Sequence, residues 1–361
     1  MSTPFVCSVP LEDMWRGRGK VRDATITLAH GSGGKAMRDL IQDVILGAFD
    51  NPLLAPLEDQ AVVSLNDLAR GGDRLAFTTD TFVVHPLFFP GGDIGRLAVN
   101  GTVNDLAMSG ARPLYLSCGL VLEEGLPVET LRRVTLSMRE AADLAGVSVV
   151  TGDTKVVERG AADKLFINTS GIGVVPAGVN ISASHARAGD KVIVNGYLGD
   201  HGCAILLARN ELALETDVET DCQPLADLVE TMLSVCPDIH CLRDATRGGL
   251  ATVLNEFAQS SRVAIRLHEN ALPMREPVRG ACEILGLDPL YLANEGKLVA
   301  IVPAEFADRL VAAMRAHPAG DQAAIIGEVV EAPAGVVMLN TGFGGGRIVD
   351  LLVGEQLPRI C

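Results

Sequence analysis

Five short stretches set an acidic residue among small or hydroxylated neighbours: Glu58-Asp59, Thr78-Thr79-Asp80-Thr81, Asn104-Asp105, Thr151-Gly152-Asp153-Thr154-Lys155 and Arg243-Asp244-Ala245-Thr246-Arg247-Gly248-Gly249. One aspartate in such a setting is ordinarily a turn or cap residue. Several together supply the dispersed hard oxygens that Mg²⁺ takes when it keeps part of its water shell and shares a substrate's phosphates. Lys155 and Arg247 stand in the same stretches and can offset phosphate charge. The run His30-Gly31-Ser32-Gly33-Gly34-Lys35 leads straight into a helical pattern, where glycines let backbone N–H groups approach a phosphate. It is neither a GxxxxGKS/T loop nor a GxGxxG after a strand, and alone it reads as a glycine-rich turn. Asn294-Glu295-Gly296-Lys297 precedes an apolar strand, and a carboxylate at such an entrance is expected to be solvated.

The sequence ends on Leu357-Pro358-Arg359-Ile360-Cys361. A terminal position is a poor place for a structural cysteine, since chain entropy works against its burial. Prenylation needs three residues after the cysteine, and none follow. Pro358 fixes its own φ and disfavours helix at Leu357, so the segment is expected to arrive extended, with Arg359 placed either to favour the thiolate or to dock on an anionic surface. The choices are a stray thiol or a presented nucleophile.

The elements that must position these residues divide the 361-residue chain into two units, because a single core of that size is uncommon. Residues 1–24, with Trp15, lack periodicity and read as a loose extension. A first domain spans 25–180. Met37, Leu40, Ile41, Val44, Ile45 and Ala48 share one helical face; Leu75–Thr79 is a strand running into Asp80; helices follow around 99–107 and 131–145, with strands at 147–150 and 165–175. Small and polar residues from Pro176 to Gly189 mark a boundary. A second domain over 186–333 alternates again: strands at 191–195, 263–268, 297–302 and 324–330, and helices near 224–235, 249–259, 277–285 and 304–316. Two such halves imply two packed α/β domains. Residues 334–361 read as a tail of strand and loop, with Gly342, Gly344, Gly345 and Gly346 as its hinge.

Composition narrows the function. A net charge of −15 argues against a nucleic acid or an anionic membrane as the main partner. No stretch matches a membrane span or a signal peptide, so a cytoplasmic location is expected. The eight cysteines show no CxxC pair and read as reduced thiols. His201-x-Cys203 and His240-Cys241 lack a second ligand pair at zinc spacing and read as core or surface residues.

Taken together, HGSGGKAM at 30–37, the stretch 78–111, VVTGDTKVVERGAADKLFINT at 149–169, LGDHG at 198–202, RDATRGGL at 243–250, ANEGKL at 293–298 and the terminal LPRIC resemble the HypE family of hydrogenase-maturation proteins. That family lies within the PurM-like, AIR synthase-related superfamily of ATP-using enzymes, and the likeness runs from about residue 25 to the end. It implies a mixed α/β, two-domain PurM-like fold with mixed sheets and an extended, flexible C-terminal tail. It implies a homodimer whose first domains pair their sheets, with ATP near that interface.

The implied activity is a carbamoyl dehydratase. A carbamoyltransferase, HypF, loads Cys361; ATP then drives dehydration of the thiocarboxamide to a thiocyanate, and the cyanide passes to iron on a HypC–HypD complex. On this likeness Asp59, Asp80, Asp105 and Asp244 would hold Mg²⁺–ATP, with Asp153 a fifth. Gly31, Ser32, Gly33, Gly34, Lys35, Asn104 and Arg247 would line the nucleotide site. Lys155 would offset developing charge, and Glu295 would be the base for the carbamoyl nitrogen. Two other readings stand beside this one: another PurM-like ATP-dependent synthetase of selenophosphate-synthetase type, and a carrier that ferries a ligand on Cys361 without catalysis.

Overall fold

The computed structural model describes residues 21–209, 216–352, 354 and 357–361. The expected loose extension lies outside them up to residue 20. Val21 packs against the first core, and its amide donates to the buried Asp43 carboxylate at 3.2 Å.

Periodic apolar residues build the first domain. Helix α1 (35–49) comprises Lys35–Leu40, a π turn Ile41–Ile45 and Leu46–Phe49, and it buries Leu40, Val44, Ala48 and Phe49. Strand β1 is Arg74–Phe82. Helix α2 (Ile94–Met108) starts at Asp93, whose carboxylate accepts the Gly95 and Arg96 amides at 2.7 and 3.2 Å, a side-chain N-cap. There follow β2 (Arg112–Glu123), α3 (Val128–Ala145), β3 (Ser148–Val157) and β4 (Leu165–Val175). The sheet runs β1-β4-β2-β3, antiparallel except for the parallel pair β2–β3. Helices α2 and α3 cover one face. Gly101 lets α2 lie close there, because a Cβ would come within 2.8 Å of the Phe82 ring. On the other face Leu75 and Phe77 remain 58% and 74% exposed.

The second domain contains β5 (Lys191–Val194), α4 (Asp200–Ala208), α5 (Ala226–Val235), β6 (Cys241–Asp244), α6 (Gly249–Ser261), β7 (Ala264–His268), α7 (Glu276–Leu285), β8 (Leu298–Val302), α8 (Ala304–Arg315), β9 (Ala324–Val330), β10 (Val337–Asn340) and β11 (Gly346–Val349). Its sheet runs β11-β10-β7-β9-β5-β8-β6, with β10 parallel to β7. This sheet therefore continues past residue 333, and Gly342–Gly345 are the turn of the β10–β11 hairpin rather than a hinge.

The end of the tail is docked in this structure. The chain returns to the first domain at its end: the Val83 amide donates to the Cys361 carbonyl at 3.1 Å, and the His85 amide to the Arg359 carbonyl at 3.2 Å. Ile360 is 2% exposed and belongs to the first core. Burial of that side chain and paired backbone groups offset the entropy that terminal position alone would favour. Among the described residues no helix is long and apolar enough to cross a membrane, and no cysteine is in a disulfide.

Candidate functional site

Where the two domains meet, seven of the expected residues come together. Asp80 lies on β1 and Asp105 near the end of α2, and the Thr78 hydroxyl between them donates to Asp105 Oδ2 at 2.8 Å. Asn104, buried beside Asp105, donates from Nδ2 to the carbonyls of Gln223 (3.1 Å) and Glu295 (3.2 Å) and accepts the Leu225 amide at 2.8 Å. This one side chain ties the first domain's helix to the loops of the second. Strands β6 and β8 are hydrogen-bonded neighbours with Leu298 opposite Asp244, which brings Asp244 and the Glu295 segment to the same end of the sheet.

Glu295 is not solvated as its sequence context suggests; it is 3% exposed. Gly296 makes this possible. A Cβ there would lie 1.9 Å from the Asp221 carbonyl oxygen, so only glycine lets the two chains approach. Asp221 in turn accepts the Glu295 amide at 3.0 Å and pairs with the buried Lys297 at 3.2 Å. Among the described residues Glu295 Oε1 has no hydrogen-bond partner. A buried acceptor left unpaired is costly unless something arrives to donate to it.

Cys361 closes the group. Its Sγ lies 3.0 Å from Arg247 Nη2, which donates to it. Burial foremost, then the Glu295 charge, pushes the thiol up to about 12, with Arg247 opposing. Glu295 is raised well above its ordinary value by burial, then by Asp221, Asp244 and Asp80. Asp244 is pushed up to about 7 by burial and by its neighbours Asp105 and Asp80. Asp105 and Asp80 are raised too, both chiefly by lost solvation, with Thr78 partly offsetting it at Asp105 and the Thr81 amide and Arg247 at Asp80.

Carboxylates that push one another's protons on in this way are poised for a cation. Among the described residues no three acidic, histidine or cysteine side chains surround a single point. Mg²⁺ usually takes only one or two carboxylates and completes its octahedron with water and phosphate, so Asp80, Asp105 and Asp244 fit it as a partial ligand set.

The remaining expected residues form a second group. Asp153 and Lys155 lie on β3 and pair with each other at 2.7 Å, and the Lys155 hydrogen bond holds the Asp153 carboxyl below its ordinary value. Gly31 sits against the same strand, where a Cβ would meet Val156 at 2.8 Å. Gly33 and Gly34 are exposed, and Gly34 caps α1. Lys35 is exposed and pairs with Asp39 at 2.5 Å. Ser32 donates to the Ala29 carbonyl. Asp59 is exposed, between Glu58 and Gln60, which line a cavity of about 210 Å³ together with Asp153.

Strand register separates the groups. Thr81, Asn168, Gly119 and Asp153 stand in one row across the sheet. Asp153 and Lys155 thus project from the open face and Asp80 from the opposite one, at edges three strand spacings or about 14 Å apart. Sequence pattern missed Asp221, which has no motif around it, and His201, whose signal was the unassigned LGDHG.

Comparison with known proteins agrees with this architecture. Residues 57–175 match the family described as AIR synthase related protein, N-terminal domain, and residues 187–340 match its C-terminal domain. The carbamoyl dehydratase HypE of Rhodobacter capsulatus is 56% identical over 341 residues, spanning 94% of this chain and 99% of that protein. A crystal structure of the hydrogenase maturation protein HypE in complex with ATP superposes with a TM-score of 0.89 at 51% identity, covering 93% of this chain and all of the other (100%). A HypE–HypF complex matches at a TM-score of 0.75 and 48% identity, over 87% of this chain and 99% of that one.

Proposed function

The chain belongs to the HypE family of hydrogenase-maturation proteins, and from that premise we propose that it is an ATP-dependent carbamoyl dehydratase whose substrate is carried on its own Cys361. The observation that carries this is the docked end of the chain: a sulfur next to Arg247, within the field of a buried Glu295 with an unpaired oxygen and of the Asp80 charge.

A thiocarboxamide on Cys361 has a carbonyl oxygen that is a poor leaving group. Transfer of the γ-phosphoryl of ATP to that oxygen, with loss of one N–H proton, gives a phosphorylated imidate and ADP. Loss of the second N–H proton with cleavage of the C–O bond gives the thiocyanate and phosphate. Glu295 is the group placed to accept a proton from the carbamoyl nitrogen, whose N–H groups supply the donors its buried oxygen lacks. Arg247, beside the sulfur, offsets negative charge that develops there. Asp80, Asp105 and Asp244 would hold Mg²⁺, which supplies neutralisation of the phosphate charge when bound. Gly31–Gly34, Lys35, Asp153 and Lys155 serve the nucleotide from the other group.

Docked, the thiol holds its proton at neutral pH and is a weak nucleophile. Carbamoyl loading therefore belongs to an undocked tail reaching a HypF-type carbamoyltransferase, and delivery of cyanide to a HypC–HypD iron complex belongs to the same exposed state. The exposed open face of the first sheet supports a homodimer, and unpaired cysteines suit the cytoplasm.

The test is the mass of the terminal peptide after loading. Addition of Mg²⁺–ATP should remove one water from it, and Cys361→Ala should take no carbamoyl group while still binding ATP. A loaded peptide that keeps its water would leave a carrier and remove the enzyme.

A further inference from the structure

The LGDHG segment at 198–202 has no part in the chemistry above, yet the structure gives it two contacts that bear on it. His201, at the start of α4, is fully buried. Its Nε2 lies 2.9 Å from the Ile360 carbonyl oxygen, and its Nδ1 2.8 Å from the Thr220 hydroxyl. A carbonyl only accepts, so Nε2 carries the hydrogen. Burial foremost lowers the imidazole's proton affinity, which favours the neutral ring. Nδ1 must then accept, and the Thr220 hydroxyl donates to it while accepting the Cys222 amide at 3.2 Å. The tautomer is set by this chain of donors, and the Phe89 ring, edge-on at 5.6 Å, fixes the plane.

The same half-turn grips the Glu295 segment. The Gly199 amide donates to Asn294 Oδ1 at 2.7 Å, and the Gly202 amide to the Ala293 carbonyl at 3.1 Å. Gly199 is in the left-handed region at φ +85°, and a Cβ there would meet Leu292 and Val278 at 2.9 Å. Glycine at this position lets the start of α4 lie against the strand lead that carries the base. One rigid element thus touches the residue before Glu295 and the residue before Cys361.

We infer that His201, oriented by Thr220, is a positioning residue that sets the carbamoyl-bearing sulfur against Glu295. The inference rests on the proposed dehydration. Beside the backbone pairs with Val83 and His85, the other side-chain hydrogen bonds of the tail run from the half-buried Arg209 to the Pro358 and Arg359 carbonyls, from Arg247 to the Cys361 sulfur, and from the exposed Arg359 to Asp163 and the Val83 carbonyl. His201 acts from within the core and one residue from the thiol.

The experiment uses full-length protein loaded by a HypF-type carbamoyltransferase, with single-turnover thiocyanate formation read on the terminal peptide and Cys361 alkylation by iodoacetamide read in the unloaded protein. His201→Phe should load normally, dehydrate about 10 to 100 times more slowly, as expected for a reactant displaced by an ångström, and alkylate several times faster. His201→Gln, which keeps a donor near the Nε2 position, should recover much of both. Thr220→Val, with the shape kept and the tautomer released, should shift both in the same direction by less, and it keeps the inference open to refutation if His201→Phe fails to fold. Wild-type dehydration and alkylation in His201→Phe, or equal loss in the Phe and Gln variants, would overturn it. If wild-type protein makes no thiocyanate, the dehydratase reading falls, while the alkylation rates still decide whether His201 holds the tail.

Discussion

At the residue scale the site is governed by carboxylates that the fold keeps short of solvent. Glu295 has its proton affinity raised well above the ordinary carboxylate range, first by burial and then by Asp221, Asp244 and Asp80. A protonated carboxyl cannot act as a base, so dehydration by the loaded protein should speed up as pH rises until Glu295 is ionised. Glu295→Gln should flatten that profile and slow single-turnover dehydration by roughly 10²–10⁴, the usual contribution of a positioned base, with loading intact; an unchanged rate would take Glu295 out of the mechanism. Asp244 makes a second, thermodynamic prediction. Its pKa is pushed from an ordinary value near 4 up to about 7. A folded-state value above the unfolded one means stability that is fully present below the unfolded pKa and is lost as pH climbs through the folded one. Without a divalent cation the melting temperature should therefore fall as pH rises from roughly 4 to 7. Asp244→Asn should remove part of that fall, and Mg²⁺ should oppose it most at the alkaline end, where the carboxylate is charged; calorimetry across the range checks all three.

At the scale of elements, the short segment between α7 and β8 shows what geometry adds to residue type. Gly296→Ala must push Asp221 or the Glu295 backbone aside, because the clash is with a backbone oxygen rather than a side chain. The expected cost is about 1–3 kcal/mol of stability for overpacking, and a dehydration rate down by about 100-fold from the displaced base, with nucleotide binding retained. Normal turnover in this variant would show that the approach to Asp221 is dispensable. Helices α3, α6, α7 and α8 were legible because one face of each is apolar at helical spacing. Helix α4 was not, since Cys203, Ala204, Ile205 and Leu206 are all buried and leave no polar face to give a period. Strand β2 also escaped notice: Pro113 and Gly119 are weak strand formers, and the strand's place is set by pairing on both sides. The carboxylates and the terminal cysteine were legible by type, but their grouping was not. Nothing local in the sequence records that Asp80 and Lys155 project from opposite faces, because that follows from the register of four strands. Likewise Glu295 looked solvated because its burial comes from Asp221, 74 residues away in the chain.

At the scale of the whole molecule, one face of the first sheet is left unfinished. Leu75 and Phe77 project from β1 at 58% and 74% exposure, alongside the half-buried Phe166 and Ile172 of β4, on a protein whose charge of −15 otherwise favours solvation. Large exposed apolar side chains grouped on a strand face mark an interface more often than a free surface. The open face also carries Asp153 and Lys155, the members of the nucleotide group that a single protomer holds away from Asp80 and Asp244. Pairing two copies through this face buries the apolar strip and offers one protomer's Lys155 group to the nucleotide held beside its partner. Phe77→Glu places a charge in the middle of that contact and should convert a dimer to a monomer, read as a halving of molar mass by light scattering, without loss of the fold, since Phe77 makes no part of the core. Dehydration of loaded protein should fall with the dimer and recover at high protein concentration, where mass action restores it. A variant that stays dimeric would place the interface elsewhere. A monomer with full activity would mean that one chain completes its own nucleotide site across the sheet edge.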